Sequence, residues 1–299
     1  MKQGLQLGKQ VLRLASTALA LITLAGCTAP GSPQNQPWLT PTPGLGTLDW
    51  STPSFTVPMD AYGMSLRDVQ IVEAAHTVLV LRCVNMRHDL SSAELDNVQQ
   101  WLNARRPPQT WMFGNWDAPY VAANGGQTSR PQQDVPLGPE PLDTNRFVAC
   151  VNEDPTVLSI QSVSPAYGLV ASPPDETMNL IQYWGEGVGR ALADPHLSAL
   201  NKQRNACTQS HGYSIYYSDD GTGGLSYDHS WTDEQRIRAE ATEAQCSDDM
   251  NYTQQVVDMV ATYQLQVIQQ HRAELVAIKQ TLDQKVADAT QILVDLGLM

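Results

Sequence analysis

Positive charge is what this chain has least of. Its 299 residues carry 18 Lys and Arg against 31 Asp and Glu, a formal net charge of −13 at pH 7. Polyanion binding needs clustered cations, so nucleic acid and anionic lipid headgroups have no electrostatic claim on it. Long apolar runs are missing as well. The most apolar stretch, residues 11–25, is broken by Arg13, Ser16, Thr17 and Thr23 and is too short to remain in a bilayer as a span. No H-E-x-x-H, G-x-S-x-G, Walker or dinucleotide fingerprint occurs. The six histidines, His76, His88, His196, His211, His229 and His271, stand apart from one another, and there is no C-x-x-C pair. With none of those spacings, no metal and no cofactor is expected. Carboxylates are plentiful, but a glycosidase pair is assembled by folding and cannot be chosen from sequence.

What is present begins at the N-terminus. Lys2, Lys9 and Arg13 lead into the apolar run, the layout of a charged region followed by a secretory core. Small residues then meet a cysteine, and Leu24-Ala25-Gly26-Cys27 closely resembles the lipobox of bacterial lipoproteins. In that family the thiol takes a diacylglycerol and the signal peptide is cut just before the cysteine. The resemblance implies that residues 1–26 are a signal peptide, that Cys27 is lipidated, and that the protein is held on the exterior face of the cell membrane. Removing 26 of the 299 residues leaves 273, enough for a real core, and takes away three basic residues and no acidic one, so the net charge becomes −16. Attachment must then come from acyl chains.

Four cysteines remain, Cys83, Cys150, Cys207 and Cys246, and an even count in an exported chain reads as two disulfides. Spacing alone does not choose among the three pairings. The favoured set is Cys83 with Cys150 and Cys207 with Cys246, each closing a loop of roughly 40 to 70 residues worth about 4 kcal/mol. A faint internal echo agrees with it. Cys83 is followed by His88 and Cys207 by His211, each late in a helical pattern with a second cysteine downstream.

Residues 27–60 hold Pro30, Pro33, Pro37, Pro41, Pro43, Pro53 and Pro58 with little charge, which excludes a helix or a central strand. They read as a tether below the fold, with a coil-like reach of about 30 Å and a limit near ~100 Å if polyproline-like. Trp50 and Phe55, nearest the fold, are expected to dock on it. Residues 61–170 form an N-terminal helical half. Ser65 with Asp68 opens a helix whose face runs Val69, Val72, His76, Leu79, Cys83, Met86 and Leu90, and Ser91 with Glu94 opens a second. His76 on that face reads as a core residue. Trp111, Phe113, Trp116 and Tyr120 sit in a turn-rich loop and are expected to pack; exposed, they would suggest a sugar or peptide face. Residues 146–151 and 156–163 are β-branched runs that read as two small strands.

Residues 171–299 form the C-terminal half. Ser172 to Glu176 open a helix striped by Met178, Ile181, Trp184, Val188 and Leu192, in which Gly185, Gly187 and Gly189 mark close helix packing and not a nucleotide loop. Leu197, Leu200, Arg204 and Cys207 line the next helix, which Gly212 stops. Residues 213–227 alternate around an acidic Gly-rich turn, a β-hairpin. Asp219 and Asp220 there lack the other ligands of a calcium loop. Thr232 with Gln235 caps another helix. Residues 251–296 contain neither Pro nor Gly, and Ile268, Leu275, Leu282, Ala289 and Leu296 recur at sevens. That predicts a heptad-patterned helix of about 45 residues and ~67 Å, packed along the residue 69–90 helix or a second copy, in coiled-coil fashion. The fold class is mainly α with small β-hairpins, built on long antiparallel helices and two disulfides.

The stretch Ala206-Cys207-Thr208-Gln209-Ser210-His211-Gly212-Tyr213, then Ala244-Gln245-Cys246 and the long terminal helix, resembles uncharacterised surface lipoproteins of actinobacteria. The resemblance implies a Cys207–Cys246 pairing and a Gram-positive host, and brings no activity. The expectation is a non-catalytic helical scaffold or interaction module, not an enzyme, that meets an envelope protein through its helical surface and does not bind nucleic acid. The alternatives are a transporter-associated solute-binding lipoprotein, which needs two α/β lobes, and an envelope hydrolase, which needs a buried carboxylate pair beside the aromatic loop.

Overall fold

The computed structural model describes residues 38–51, 54–86, 89–103, 114–126, 146, 149, 150, 153–155, 157, 175–217 and 223–299. The chain divides into two units, Met1–Trp38 and Leu39–Met299, and every element below belongs to the second. Its helices are α1 (Leu66–Asn85), α2 (Ser92–Asn103), α3 (Ala118–Asn124), α4 (Asp175–Leu192), α5 (Pro195–Ser210), α6 (Asp233–Asp249) and α7 (Tyr252–Val294). The described residues also form a 3-10 helix, Pro58–Tyr62, and two antiparallel hairpins: β1 (Thr47–Asp49) with β2 (Ser54–Thr56), and β3 (Ile215–Tyr217) with β4 (Gly223–Leu225). The fold is thus mainly α with small hairpins.

Caps written in the sequence start three of the helices. Asp68 N–H donates to Ser65 Oγ while the Asp68 carboxylate accepts Ser65 N–H, and Thr232 with Gln235 repeats the arrangement at α6. Ser91 and Glu94 do the same before α2. Each reciprocal pair satisfies two amides that a helix start leaves orphaned. Gly212, at φ +88°, follows the end of α5.

Helix α7 is the axis on which the rest is laid. Along its first half it meets α4 in antiparallel register: Tyr183 faces His271, Gly187 faces Gln264, and Arg190 reaches Gln266 at 3.4 Å. Along its last turns Ala289 and Leu293 enter the cluster of α1 and α2 built from Ala75, Val78, Val98 and Leu102. The positions at sevens face inward, with Leu275, Leu282 and Ala289 buried. The helix is not regular throughout. The 43 residues contain a break at His271, where φ −117° and ψ 22° leave the helical region. Neither Pro nor Gly lies there. Tyr183 of α4 stacks on the imidazole at 4.2 Å, and its hydroxyl donates to Glu274. That bond to Glu274 pushes the Tyr183 phenol up to about 12 and holds the Glu274 carboxyl below its ordinary value.

Two further expectations need correction. The second part of the supposed tether, residues 39–60, is folded onto α7. Leu39 N–H donates to the Tyr263 hydroxyl at 3.2 Å, Thr42 N–H to Thr262 Oγ1 at 3.0 Å and Gly46 N–H to Asp258 Oδ1 at 3.1 Å. Within this segment β1 and β2 pair only residues 47–49 with 54–56, and amides outside that short ladder take acceptors from the α7 surface. Phe55 packs against the buried cluster that α7 contributes to, and Trp50 meets Trp116 edge-on at 5.2 Å, as expected of both. The two strands expected at 146–151 and 156–163 are not found among the described residues. Arg146, Ala149, Cys150, Glu153, Pro155 and Val157 are helical, Asp154 accepts Val157 N–H at 3.2 Å as a cap does, and Cys150 and Val157 pack against α1. Burial against a helix has overridden the β-branched preference. Described elements of both halves lie in one unit, in which α7 packs against α1 and α2 as well as α4.

Both favoured disulfides are present, Cys83–Cys150 and Cys207–Cys246, closing sequence separations of 67 and 39. Among the described residues no helix is long and apolar enough to cross a membrane.

Candidate functional site

Chemistry-bearing side chains converge where α3, α5 and α6 meet. Helix α5 brings Asn201, Arg204, Asn205 and Thr208 to one face at helical spacing, all buried. Helix α6 answers with Glu240, Glu243 and Ser247, also buried. Residues 114–126 close over them. Asn115 Nδ2 donates to Glu243 Oε2 at 2.6 Å, Ser247 Oγ to the Asn115 carbonyl at 2.9 Å, and Gly126 N–H to Glu240 Oε2 at 3.0 Å. Asp248 accepts Asp117 N–H at 3.0 Å and Ala118 N–H at 2.8 Å, opening α3. Burial raises the Asp248 carboxyl, and the charges of Asp117 and Asp249 add to it, against the lowering by those two amides.

Arg204 is the centre of this network. Its guanidinium lies 3.9 Å from Glu243 Oε1, donates to the Gly223 carbonyl at 3.0 Å, and covers the Tyr252 ring at 4.6 Å. Tyr252 in turn donates to Asn201 Oδ1 at 2.5 Å, and burial raises its phenol. Glu240 also receives the Tyr227 hydroxyl at 3.2 Å. A carboxylate with no exposed surface, both oxygens committed to hydrogen bonds, holds two segments together; no water or substrate reaches it.

Above the network an open groove of about 440 Å³ runs between α3 and α6. It is lined by Ala118, Pro119, Ala122, Ala241, Thr242 and Gln245, with His211 at its rim. The lining side chains are small or polar, and none is an acid, a lysine or an arginine. Beside it lies the Cys207–Cys246 disulfide, and the two sulfurs and a ring nitrogen of His211 are within 4.8 Å of one another. Cys246 is buried, Cys207 half-buried and His211 exposed.

A second arrangement sits at the start of α5. Asp194, wholly buried, caps the helix, accepts the Tyr263 hydroxyl at 2.8 Å and contacts His196 Nδ1 at 2.8 Å. The His196 ring stands largely in solvent, with a side-chain exposure of 67%. Asp194 is thus a helix cap, and the His196 imidazole is its hydrogen-bonded neighbour.

The sequence-predicted residues divide accordingly. Cys27, His88, Trp111, Phe113, Asp219 and Asp220 lie outside the described residues. Cys83, Cys150, Cys207 and Cys246 are joined in pairs, Trp116 is buried as a packing residue, and His76 lies within the α1 core face. Sequence reasoning missed Glu240, Glu243, Ser247 and Asn115. Their one signal was Arg204, a charge on an otherwise apolar stripe, which demands a buried acid elsewhere.

No family model, no curated protein and no solved structure matches this chain.

Proposed function

We propose that this protein is a non-catalytic lipoprotein, anchored through a diacylglycerol on Cys27 at the exterior face of the membrane, whose disulfide-stapled helical body is an interaction module for an envelope partner. The observation that carries the non-catalytic part is the fate of the carboxylates. Asp194, Glu240, Glu243, Asp248 and Asp258 are each tied to backbone amides or to neighbouring side chains that they hold in place. Of the aromatic loop that a hydrolase reading invokes, the described part from residue 114 onward does meet a buried pair, Glu240 and Glu243. Both are sealed and spoken for, which leaves them structural work and not acid–base work. For a transporter-associated solute-binding protein, two α/β lobes are wanted, and the described residues offer two-stranded hairpins only. Residues Leu66, Met86, Ile181 and Val276, spread over α1, α4 and α7 and well exposed, are where a helical partner would find apolar purchase.

The anchor is tested by feeding host cells an alkyne-bearing fatty acid. Wild-type chain should be labelled and sediment with membranes, whereas Cys27→Ser should be unlabelled; equal labelling of both refutes the lipid. The interaction role is tested by crosslinking on intact cells. A partner lost on charge substitution at Ile181 or Val276 supports it. Hydrolytic turnover by the purified domain, abolished by one carboxylate or serine substitution, refutes it.

A further inference from the structure

Of the two disulfides, Cys207–Cys246 has something Cys83–Cys150 does not have among the described residues: a third ligand-bearing side chain within reach of its sulfurs. Cys207 and His211 are four residues apart at the end of α5 and therefore share a face, one turn apart. Cys246 faces them from α6, with a Cα–Cα distance of 5.8 Å to Cys207. All three donor atoms already lie within 4.8 Å of one another. A tetrahedral zinc site, with bonds of about 2.3 Å to sulfur and ~2.0 Å to nitrogen, spaces its donors by roughly 3.5 to 4 Å. Side-chain rotation within the present backbone covers that difference once the sulfur–sulfur bond is gone.

We propose that the reduced Cys207–Cys246 pair, together with His211, is a binding site for a borderline-soft divalent cation, Zn²⁺ by its ligand set, so that α5 and α6 can be joined either by a disulfide or by a metal. Two thiolates and one imidazole select zinc over the hard oxygen-seeking cations. The opening step needs a reductant, and a dithiol supplies it. The Cys207–Cys246 sulfur–sulfur bond breaks, the dithiol closes its own disulfide and gives up two electrons, and its two protons finish on the Cys207 and Cys246 thiols. The cation then displaces both protons to solvent and takes a lone pair from neutral His211. His211 is exposed, so the cation enters from solvent without rearrangement of the core, and the fourth position is left to water. A small-molecule disulfide, reduced to its dithiol by the two electrons and by two protons from solvent, re-forms the Cys207–Cys246 bond and expels the metal.

The test uses the full mature chain, reduced with a water-soluble phosphine and titrated with Co²⁺ alone. The expected result is one equivalent bound, with thiolate-to-cobalt charge-transfer absorption and the intense visible bands of a tetrahedral centre, displaced by one equivalent of Zn²⁺. The oxidised chain should show neither band. Cys207→Ser/Cys246→Ser, which keeps Cys83 and Cys150, should also show neither. Loss of an outer partner of a ligating histidine costs about tenfold or more in affinity, so His211→Ala should weaken binding by at least that much. A reduced chain without the spectrum, the same spectrum in the double variant, or unchanged affinity in His211→Ala overturns the site. Should circular dichroism show that reduction melts the helices, Co²⁺ must restore them, and failure to do so overturns it equally.

Discussion

Replacing Gly185, Gly187 and Gly189 one at a time by alanine separates helix propensity from helix packing. All three lie inside α4, where a glycine costs about 1 kcal/mol relative to alanine. A Cβ at Gly185 or Gly189 meets nothing within 4 Å, and both positions are exposed. Each substitution there should stabilise by roughly 0.5 to 1 kcal/mol. Gly187 is different. Its Cβ would lie 2.6 Å from Gln264 Cγ and 3.2 Å from Gln264 Cα on α7. The side chain has nowhere to go, because Gln264 is wholly buried and its Oε1 accepts Met59 N–H at 3.1 Å. The Cα cannot yield unless α4 and α7 separate. Overpacking of this kind costs about 1 to 3 kcal/mol, which outweighs the gain in propensity. At ~2 to 4 °C per kcal/mol for a domain of this size, Gly189→Ala should melt a few degrees above wild type and Gly187→Ala a few degrees below. Differential scanning calorimetry decides it. If Gly187→Ala is as stable as Gly189→Ala, α4 and α7 do not approach as closely as described.

Three other substitutions follow from the same packing. Burial, with the Lys285 ammonium adding to it, lowers the His76 imidazole from 6.5 to about 4, so between those values the unfolded chain binds a proton that the folded chain refuses. Stability should therefore fall as pH drops from about 6.5 to 4, by up to about 3 kcal/mol at 1.36 kcal/mol per pH unit, and urea midpoints of His76→Leu should lack that component. Glu243→Ala leaves the Arg204 guanidinium buried without its carboxylate and should cost about 3 kcal/mol or more in denaturant titration; a loss below ~1 kcal/mol would mean that Gly223 and Tyr252 suffice. Removing the loop of 67 residues closed by Cys83 and Cys150, with serine at both positions, should lose about 4 kcal/mol on the chain-entropy estimate, and an unchanged unfolding midpoint would contradict it.

The parts of the fold that sequence exposed are those governed by local chemistry. Ser65 with Asp68 and Thr232 with Gln235 cap helices whatever surrounds them, and Leu275, Leu282 and Ala289 point inward because their spacing admits no other face. What escaped depends on partners distant in the chain. The break at His271 is set by Tyr183, some ninety positions earlier. The helical state around Cys150 answers to α1, to which a disulfide ties it. The polar network was hidden for the same reason, since Glu240, Glu243 and Ser247 on a short-range view describe a solvated face. Only the fold shows Arg204 beneath them and residues 114–126 above.

The docking of residues 39–60 also changes what an anchor at Cys27 would do. With the whole of residues 27–60 free, the body could stand as far as ~100 Å from the membrane. With the body beginning at Leu39, twelve residue steps separate it from Cys27, and a fully extended chain covers them in about 40 Å. A lipid on Cys27 would therefore limit the distance of Leu39 from the membrane to about that length. The distance is measurable by energy transfer from a dye on a cysteine at Trp38 to acceptor lipids in reconstituted vesicles, using acylated protein. Strong transfer, raised no further by deleting residues 30–34, agrees with a short leash. Transfer that rises steeply on that deletion would show the segment acting as a long spacer and would refute the short leash.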